Sequence, residues 1–248
     1  MIGSMRMRLT LRDQEDGRVV LPTNYNYLIQ ATIYHNISRE LATFLHDKGF
    51  LFNKRQFKMF TFSRLEGHYM LDKKNKLFIY DGNITLHISS PIKKFIEDLA
   101  NTIVKKGFMV LGKHMLRVVD LAFPAMPTIK NGQLRIRMLS PLTVYSTLMT
   151  PDGKKKTYYF SPYEKEFSAL INSNVKKKYY LLSGKNIKSN IKIKPLRVKE
   201  VTTLYKDTVV KGWIGHFLLK GPKTLIMTAY ETGLGAKNSQ GFGMFEVI

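Results

Sequence analysis

The chain has 248 residues, 44% hydrophobic and 12% aromatic, which places it among globular proteins and gives it enough apolar matter for one large or two small domains. It has no cysteine, excluding a disulfide framework and a thiolate metal site, and no apolar run approaches the ~20 residues a membrane helix needs. Against 18 Asp and Glu stand 40 Lys and Arg, a net charge of +22; that excess costs self-repulsion in the folded state and favours a polyanionic partner, nucleic acid well ahead of a membrane surface.

Ile2, Gly3 and Ser4 ahead of a second methionine read as an added leader, so Met5 is the expected natural start. No signal-peptide pattern follows, and a cytoplasmic location is expected. Residues 7–11 alternate into a first strand. Residues 25–36 form a helical segment with Leu28, Ile29, Thr32 and Ile33 on one face. Ser38 offers an N-cap for a short second helix that runs to Lys48 and stops at Gly49. Strands are predicted over 57–62 and 76–90. Pro91 opens a helix to about Lys106, carrying Ile92, Phe95, Ile96 and Leu99, and 108–123 returns as extended chain. The order is βαββαβ, the split-βαβ arrangement.

Residues 124–132, with two prolines and Asn131-Gly132, read as a linker. The order then repeats: strand 134–144, helix 164–178, strands 191–199 and 208–219, helix 222–232 and strand 242–248. The predicted fold class is α+β, with two tandem ferredoxin-like (RRM-like) domains over residues 5–123 and 133–248. No sequence repeat links the halves.

Between the last helix and strand lies Gly233-Leu-Gly-Ala-Lys-Asn-Ser-Gln-Gly-Phe-Gly243, two Gly-hydrophobic-Gly triplets separated by five residues. Such glycine density admits positive φ and close backbone approach. It is not a nucleotide-binding motif, because no Gly-Lys-Ser/Thr closes it and no helix follows. Lys237, Asn238, Ser239 and Gln240 give its tip one cation and three hydrogen-bonding side chains. A plain connector and a phosphate-contacting loop both fit.

Along 191–194 the alternation puts Lys192 and Lys194 on one strand face and the isoleucines on the other, with Arg197 and Lys199 extending the charge. An RNA backbone could track such a face; an ordinary solvated face reads the same way. The lysine runs 154–156 and 176–178 read as solvated turns and helix ends. The acidic pairs Glu97/Asp98 and Glu164/Glu166 read as helix-face charges, and two-metal catalysis, which needs converging carboxylates, has no basis in the sequence. His35, His68, His87, His114 and His216 read as structural or surface residues.

Two βαββαβ units, strong positive charge and the Gly-x-Gly-x5-Gly-x-Gly loop resemble the CRISPR-associated repeat-processing endoribonucleases, the Cas-six family. A second match lies in the first helical region. Family members of the archaeal type place a catalytic tyrosine in the first helix, a histidine at the end of that region and a lysine shortly after. Here these positions correspond to Tyr34, His46 and Lys58, with Lys54 competing for the lysine role. The resemblance implies binding of CRISPR repeat RNA (pre-crRNA), for which the basic face of Lys192, Lys194, Arg197 and Lys199 and the loop residues Gly235, Lys237, Asn238, Ser239, Gln240 and Gly241 are the candidate contacts. It implies metal-independent cleavage with no cofactor, in which the 2′-hydroxyl attacks the adjacent phosphorus and leaves a 2′,3′-cyclic phosphate and a 5′-hydroxyl. Proteins of a CRISPR effector complex and a second copy of the chain are the protein partners it allows. A non-catalytic RNA-binding subunit on the same fold is the alternative.

One geometric condition follows from the residues themselves. On a single straight helix Tyr34 and His46 would stand roughly 18 Å apart along the axis. They can share a site only if the helix breaks, and Asn36-Ile37-Ser38 is the place for it. A histidine near neutral pH can serve as acid or base, a tyrosine can donate, accept or orient, and a lysine can meet phosphorane charge.

Overall fold

The computed structural model describes residues 6–129 and 131–248; the expected start at Met5 lies outside them. Two buried clusters organise the chain. The first draws on Met7, Leu9, Leu86, Ile88, Phe95, Leu99 and their neighbours, the second on Leu134, Ile136, Phe167, Phe217, Leu219, Ile226 and Phe245.

In the first unit the hub is β7 (Leu77–Ser89). β1 (Arg6–Asp13) pairs with its second half, and β2 (Arg18–Pro22) with its first half. β6 (Glu66–Asp72) pairs the same first-half residues as β2 and so runs along the other edge. β8 (Phe108–Leu111) and β9 (His114–Ala122) complete the sheet beside β1. The spatial order β6-β7-β1-β9, all antiparallel neighbours, is that of a ferredoxin-like sheet. Alternation in β1 sends Met7, Leu9 and Leu11 inward, onto α1 (Asn26–His35) and α3 (Lys93–Lys106), whose buried faces carry Ile29 and Ile33, and Phe95, Ile96, Leu99 and Ile103.

The second unit has the order β13-β14-β10-β15: β10 (Gln133–Met138) lies between β14 (Thr208–Lys220) and β15 (Phe245–Val247), with β13 (Lys192–Tyr205) at the edge. One face is covered by α4 (Lys165–Ser183) and α5 (Lys223–Thr232), through Phe167, Ile171, Val175, Leu225, Ile226 and Ala229. The two units meet where Arg6 of β1, 3% exposed, donates to the carbonyls of Phe245 (2.7 Å) and Tyr230 (2.8 Å) with its guanidinium 3.6 Å above the Tyr230 ring. Among the described residues no helix is long and apolar enough to cross a membrane.

Several predicted strands are corrected. The extended stretch 108–123 is the hairpin β8–β9, turning at Gly112 with φ +61°. The strand expected over 57–62 is interrupted: β4 (Arg55–Phe57) pairs with β3 (Phe50–Phe52), Met59 takes φ +56°, and only Thr61–Phe62 (β5) joins β7. The strand predicted over 134–144 ends at Met138, followed by the hairpin of β11 (Tyr145–Met149) and β12 (Lys155–Tyr159).

Candidate active site

The break that a site shared by Tyr34 and His46 requires is present. α1 ends at His35, Asn36 caps it, and α2 (Arg39–Thr43) begins after Ser38, whose ψ of 145° is non-helical. The chain then takes one π-helical turn, Phe44–Lys48; such turns are rare and recur at functional sites. The result folds His46 back over α1. The rings of Tyr34 and His46 meet edge to face at 6.2 Å between centroids, and the Tyr34 ring also meets Phe60 at 5.8 Å.

Lys58 joins them from the chain after the β3–β4 hairpin, donating to the His46 backbone carbonyl at 2.5 Å. Burial lowers its pKa, against the opposing pull of Asp47. Lys54 is exposed next to the positive-φ turn residue Asn53 of that hairpin. The His46 ring is largely exposed and holds Asp47 Oδ1 at 2.7 Å through Nδ1. An ionised carboxylate only accepts, so Nδ1 carries the hydrogen and Nε2 is left open. Tyr34 is half-buried, and burial pushes its hydroxyl pKa up to about 12. An open cavity of ≈ 460 Å³ lies beside Tyr34, His46 and Asp47, with Gln30, His35 and Lys206 also on its walls.

The glycine-rich loop packs against this same helix. Asn26 donates to the carbonyls of Gln240 (2.9 Å) and Gly241 (3.3 Å), and Gln30 to that of Ser239 (2.6 Å). Gln30 in turn accepts from the Tyr205 hydroxyl. Thr61 donates to the Phe242 carbonyl at 3.1 Å. The two glycines expected to contact RNA, Gly235 and Gly241, are buried and have φ of +66° and +82°. A Cβ at Gly241 would sit 2.5 Å from the Phe62 ring and 2.6 Å from Asn26, and one at Gly235 would collide with the Thr143 carbonyl. The close approach that glycine permits here is therefore to the protein's own strand and helix. Lys237 adopts φ +58°, with its ammonium 5.4 Å from the Tyr145 ring centroid.

From the other side the loop is held by Lys178. The expectation of a solvated lysine run is overturned at this residue. α4 continues to Ser183, and Lys178 is 2% exposed. Its ammonium donates to the Gly233 carbonyl (2.8 Å) and Asn238 Oδ1 (2.6 Å), with the Thr232 carbonyl at 3.5 Å. Burial pulls its pKa down to about 7, while acceptors of this kind favour the charged form. Asn26, Gln30 and Tyr34 were legible as a polar stripe at i, i+4, i+8 on α1; sequence reasoning used only the last. Lys178 gave no such signal.

The predicted basic face is exposed. Lys192 and Lys194 pair with Lys220 and Leu218 of β14, and Arg197 and Lys199 with His216 and Ile214. A bulge inserts Leu196 between Pro195 and Arg197; without it the period of two would send Arg197 and Lys199 to the opposite face. Cross-strand pairing adds Arg135 and Arg137 of β10 to the same face, Arg137 being paired with Glu246 (2.5 Å) and Glu66 (3.7 Å).

Fold and site define a protein of two ferredoxin-like domains in which a C-terminal glycine-rich loop is clamped beside an N-terminal Tyr-His-Lys cluster. Residues 20–123 match the family described as CRISPR-associated protein Cas6, N-terminal, and residues 124–247 that described as CRISPR associated protein Cas6, C-terminal. The chain belongs to the Cas6 family. It is 30% identical to the CRISPR-associated endoribonuclease Cas6 1 of Methanocaldococcus jannaschii, across 96% of this chain and 91% of that one. It is 28% identical to the CRISPR-associated endoribonuclease Cas6 of Pyrococcus furiosus, across 97% and 90%. A solved structure described as CRISPR associated protein Cas6 has a TM-score of 0.80 at 28% identity over 99% of both chains.

Proposed function

We propose that this chain is an endoribonuclease that cuts CRISPR repeat RNA by metal-independent transesterification. The observation that carries the reading is the edge-to-face approach of Tyr34 and His46 with the Lys58 ammonium at the His46 carbonyl, in a chain whose relatives are named as CRISPR-associated endoribonucleases. His46 Nε2 accepts the proton of the 2′-hydroxyl, with Asp47 holding the ring through Nδ1–H. The 2′-oxygen bonds to phosphorus, and the bond from phosphorus to the 5′-oxygen breaks. Tyr34, whose hydroxyl keeps its proton at neutral pH, donates to that oxygen. Lys58 supplies positive charge to the phosphorane. The exposed face of Lys192, Lys194, Arg197 and Lys199 carries the RNA backbone, and the tip of the glycine-rich loop lies against the strand near the cut.

The experiment is incubation of candidate repeat RNA with the protein in EDTA, followed by analysis of product ends. Cyclic-phosphate and 5′-hydroxyl ends are expected. Cleavage only with added Mg²⁺ would overturn the mechanism, and RNA that is bound but intact would make the chain a binding subunit.

A further inference from the structure

The N-terminal sheet leaves one edge open. Its far edge, β8, is covered by α1, where the Thr32 hydroxyl donates to the Val110 carbonyl at 2.7 Å. The outer side of β2 is met by His114, whose Nε2 accepts from the Val20 amide at 3.1 Å. β6 pairs with β7 on one side, and no strand among the described residues pairs with its other side. Edge strands are normally shielded by lysine, proline, a bulge or brevity. β6 has a bulge only at its start, between Glu66 and His68. Its middle is Tyr69, Met70 and Leu71, which are 50%, 63% and 40% exposed.

We propose that this edge is a self-pairing surface, on which β6 of a second copy adds antiparallel and joins the two N-terminal sheets across a two-fold axis. The inference stands apart from the endoribonuclease reading and goes beyond it. The bulge and the turn that begins at Lys73 bound a pairing run of five residues, 68–72. A two-fold axis between antiparallel strands keeps each side chain on its own face, so it passes through a residue. At Met70 all five residues find partners. His68 then faces Asp72 of the second copy, and Tyr69 faces Leu71 of the second copy, each pair occurring twice. Moved to Tyr69, the axis sets Glu66 against Asp72, two carboxylates; moved to Leu71, it sets Tyr69 against the turn residue Lys73.

The central register is self-complementary in charge and in shape. Asp72 accepts from the Asn75 amide at 2.9 Å and from Asn75 Nδ2 at 2.7 Å, and its carboxylate has lone pairs left for an imidazole N–H. The Tyr69 ring packs on Phe78 and Tyr80 at 5.1 and 5.4 Å between centroids, so the joined strands share one apolar strip. A strand of unrelated sequence would have to supply this order of residues, whereas a second copy carries it. Five residues from each copy make a small contact of the weak class, and each copy brings a charge of +22. Salt that screens this repulsion favours the pairing.

The chain has no cysteine, so single introduced thiols report the register. Directly opposed residues of antiparallel strands stand about 4.5–5.5 Å apart between Cα atoms, within the reach of a disulfide. Met70→Cys should give a covalent dimer under mild oxidation. Val104→Cys, 66% exposed on α3, should stay monomeric at the same concentration. Tyr69→Cys alone should link poorly, but should link when mixed with Leu71→Cys. Sedimentation equilibrium is run on the full chain in about 0.5 M NaCl, where the screening length is about 4 Å. Wild type should show a reversible dimer, and Met70→Lys, which opposes two ammoniums at the axis, should weaken it about tenfold. Wild type that stays monomeric up to about 1 mM overturns the proposal, as does a dimer that Met70→Lys leaves intact. Met70→Cys that links no faster than Val104→Cys, or no faster than Tyr69→Cys alone, overturns it as well.

Discussion

The His46 and Tyr34 rings meet edge to face, 6.2 Å between centroids, because the chain breaks its helix at Asn36 and then widens into a π turn. If this pair transfers protons, His46→Ala should lower the single-turnover cleavage rate by about 10²–10⁴-fold with little change in RNA affinity. Tyr34→Phe and Lys58→Ala should fall in the same class with smaller losses. Loss of binding in step with loss of cleavage would reassign His46 to RNA contact or structure. A 2′-deoxy sugar upstream of the cut should give RNA that binds and stays intact.

The docked loop makes a separate prediction. Gly241→Val puts a branched side chain at φ +82° against Phe62 and Asn26, a site with neither the space nor the backbone conformation for it. The loop should lift from α1 and lose the Asn26 and Gln30 bonds. RNA affinity and melting temperature should both fall, while circular dichroism still reports folded sheets. Wild-type binding and cleavage would reduce the loop to a connector.

Charge on the β13 face should appear as salt dependence. Each phosphate contact releases counterions, so Lys192→Glu with Lys194→Glu should flatten the slope of log affinity against log salt by about one to two and weaken binding at low salt. A filter-binding titration with unchanged slope and affinity would place the RNA elsewhere.

Lys178 links the loop to pH. Its pKa is lowered from 10.5 to about 7 by burial. Above pH ~7 the folded protein releases a proton that the unfolded chain keeps until near its ordinary value, so unfolding takes up a proton. Stability from this group therefore rises with pH between about 7 and 10.5, and the burial cost is undiminished below that window. Urea unfolding of wild type and Lys178→Met at pH 7 and 9 should show this rise in wild type only. Equal pH slopes would mean that the ammonium keeps its proton on folding.

What the sequence revealed of all this divides along physical lines. β1, α1, α3 and β7 were legible because one face of each is buried, and burial writes a period of two or 3.6 into the chain. β6 and the β11–β12 hairpin were missed because nearly every residue in them is exposed, so no alternation marks them. β8 and β9 merged into one strand because the turn at Gly112 is short. At the site, Tyr34 and His46 came from the family resemblance, and what the residues themselves showed was the place, Asn36-Ile37-Ser38, where the helix can break. Lys178 was not readable: three adjacent lysines look solvated, and only the distant loop that closes over α4 buries the third. The faces of Gly235 and Gly241 posed the same difficulty, since what fills them comes from Thr143, Phe62 and Asn26.

The bulge at Leu196 makes the direction of a charge depend on chain length. Leu196 is 51% exposed and unpaired, and its role is that of a spacer, which residues of other types fill as well. Deleting it would restore strict alternation and rotate Arg197 and Lys199 toward the side where Val198 now packs on the core. The strand would then have to bury two cations, or slip its register along β14 and turn Lys192, Lys194 and the isoleucines over instead. A single-codon loss on this strand is thus a heavier lesion than any substitution of Leu196, and natural variation in the chain should tolerate the second and avoid the first.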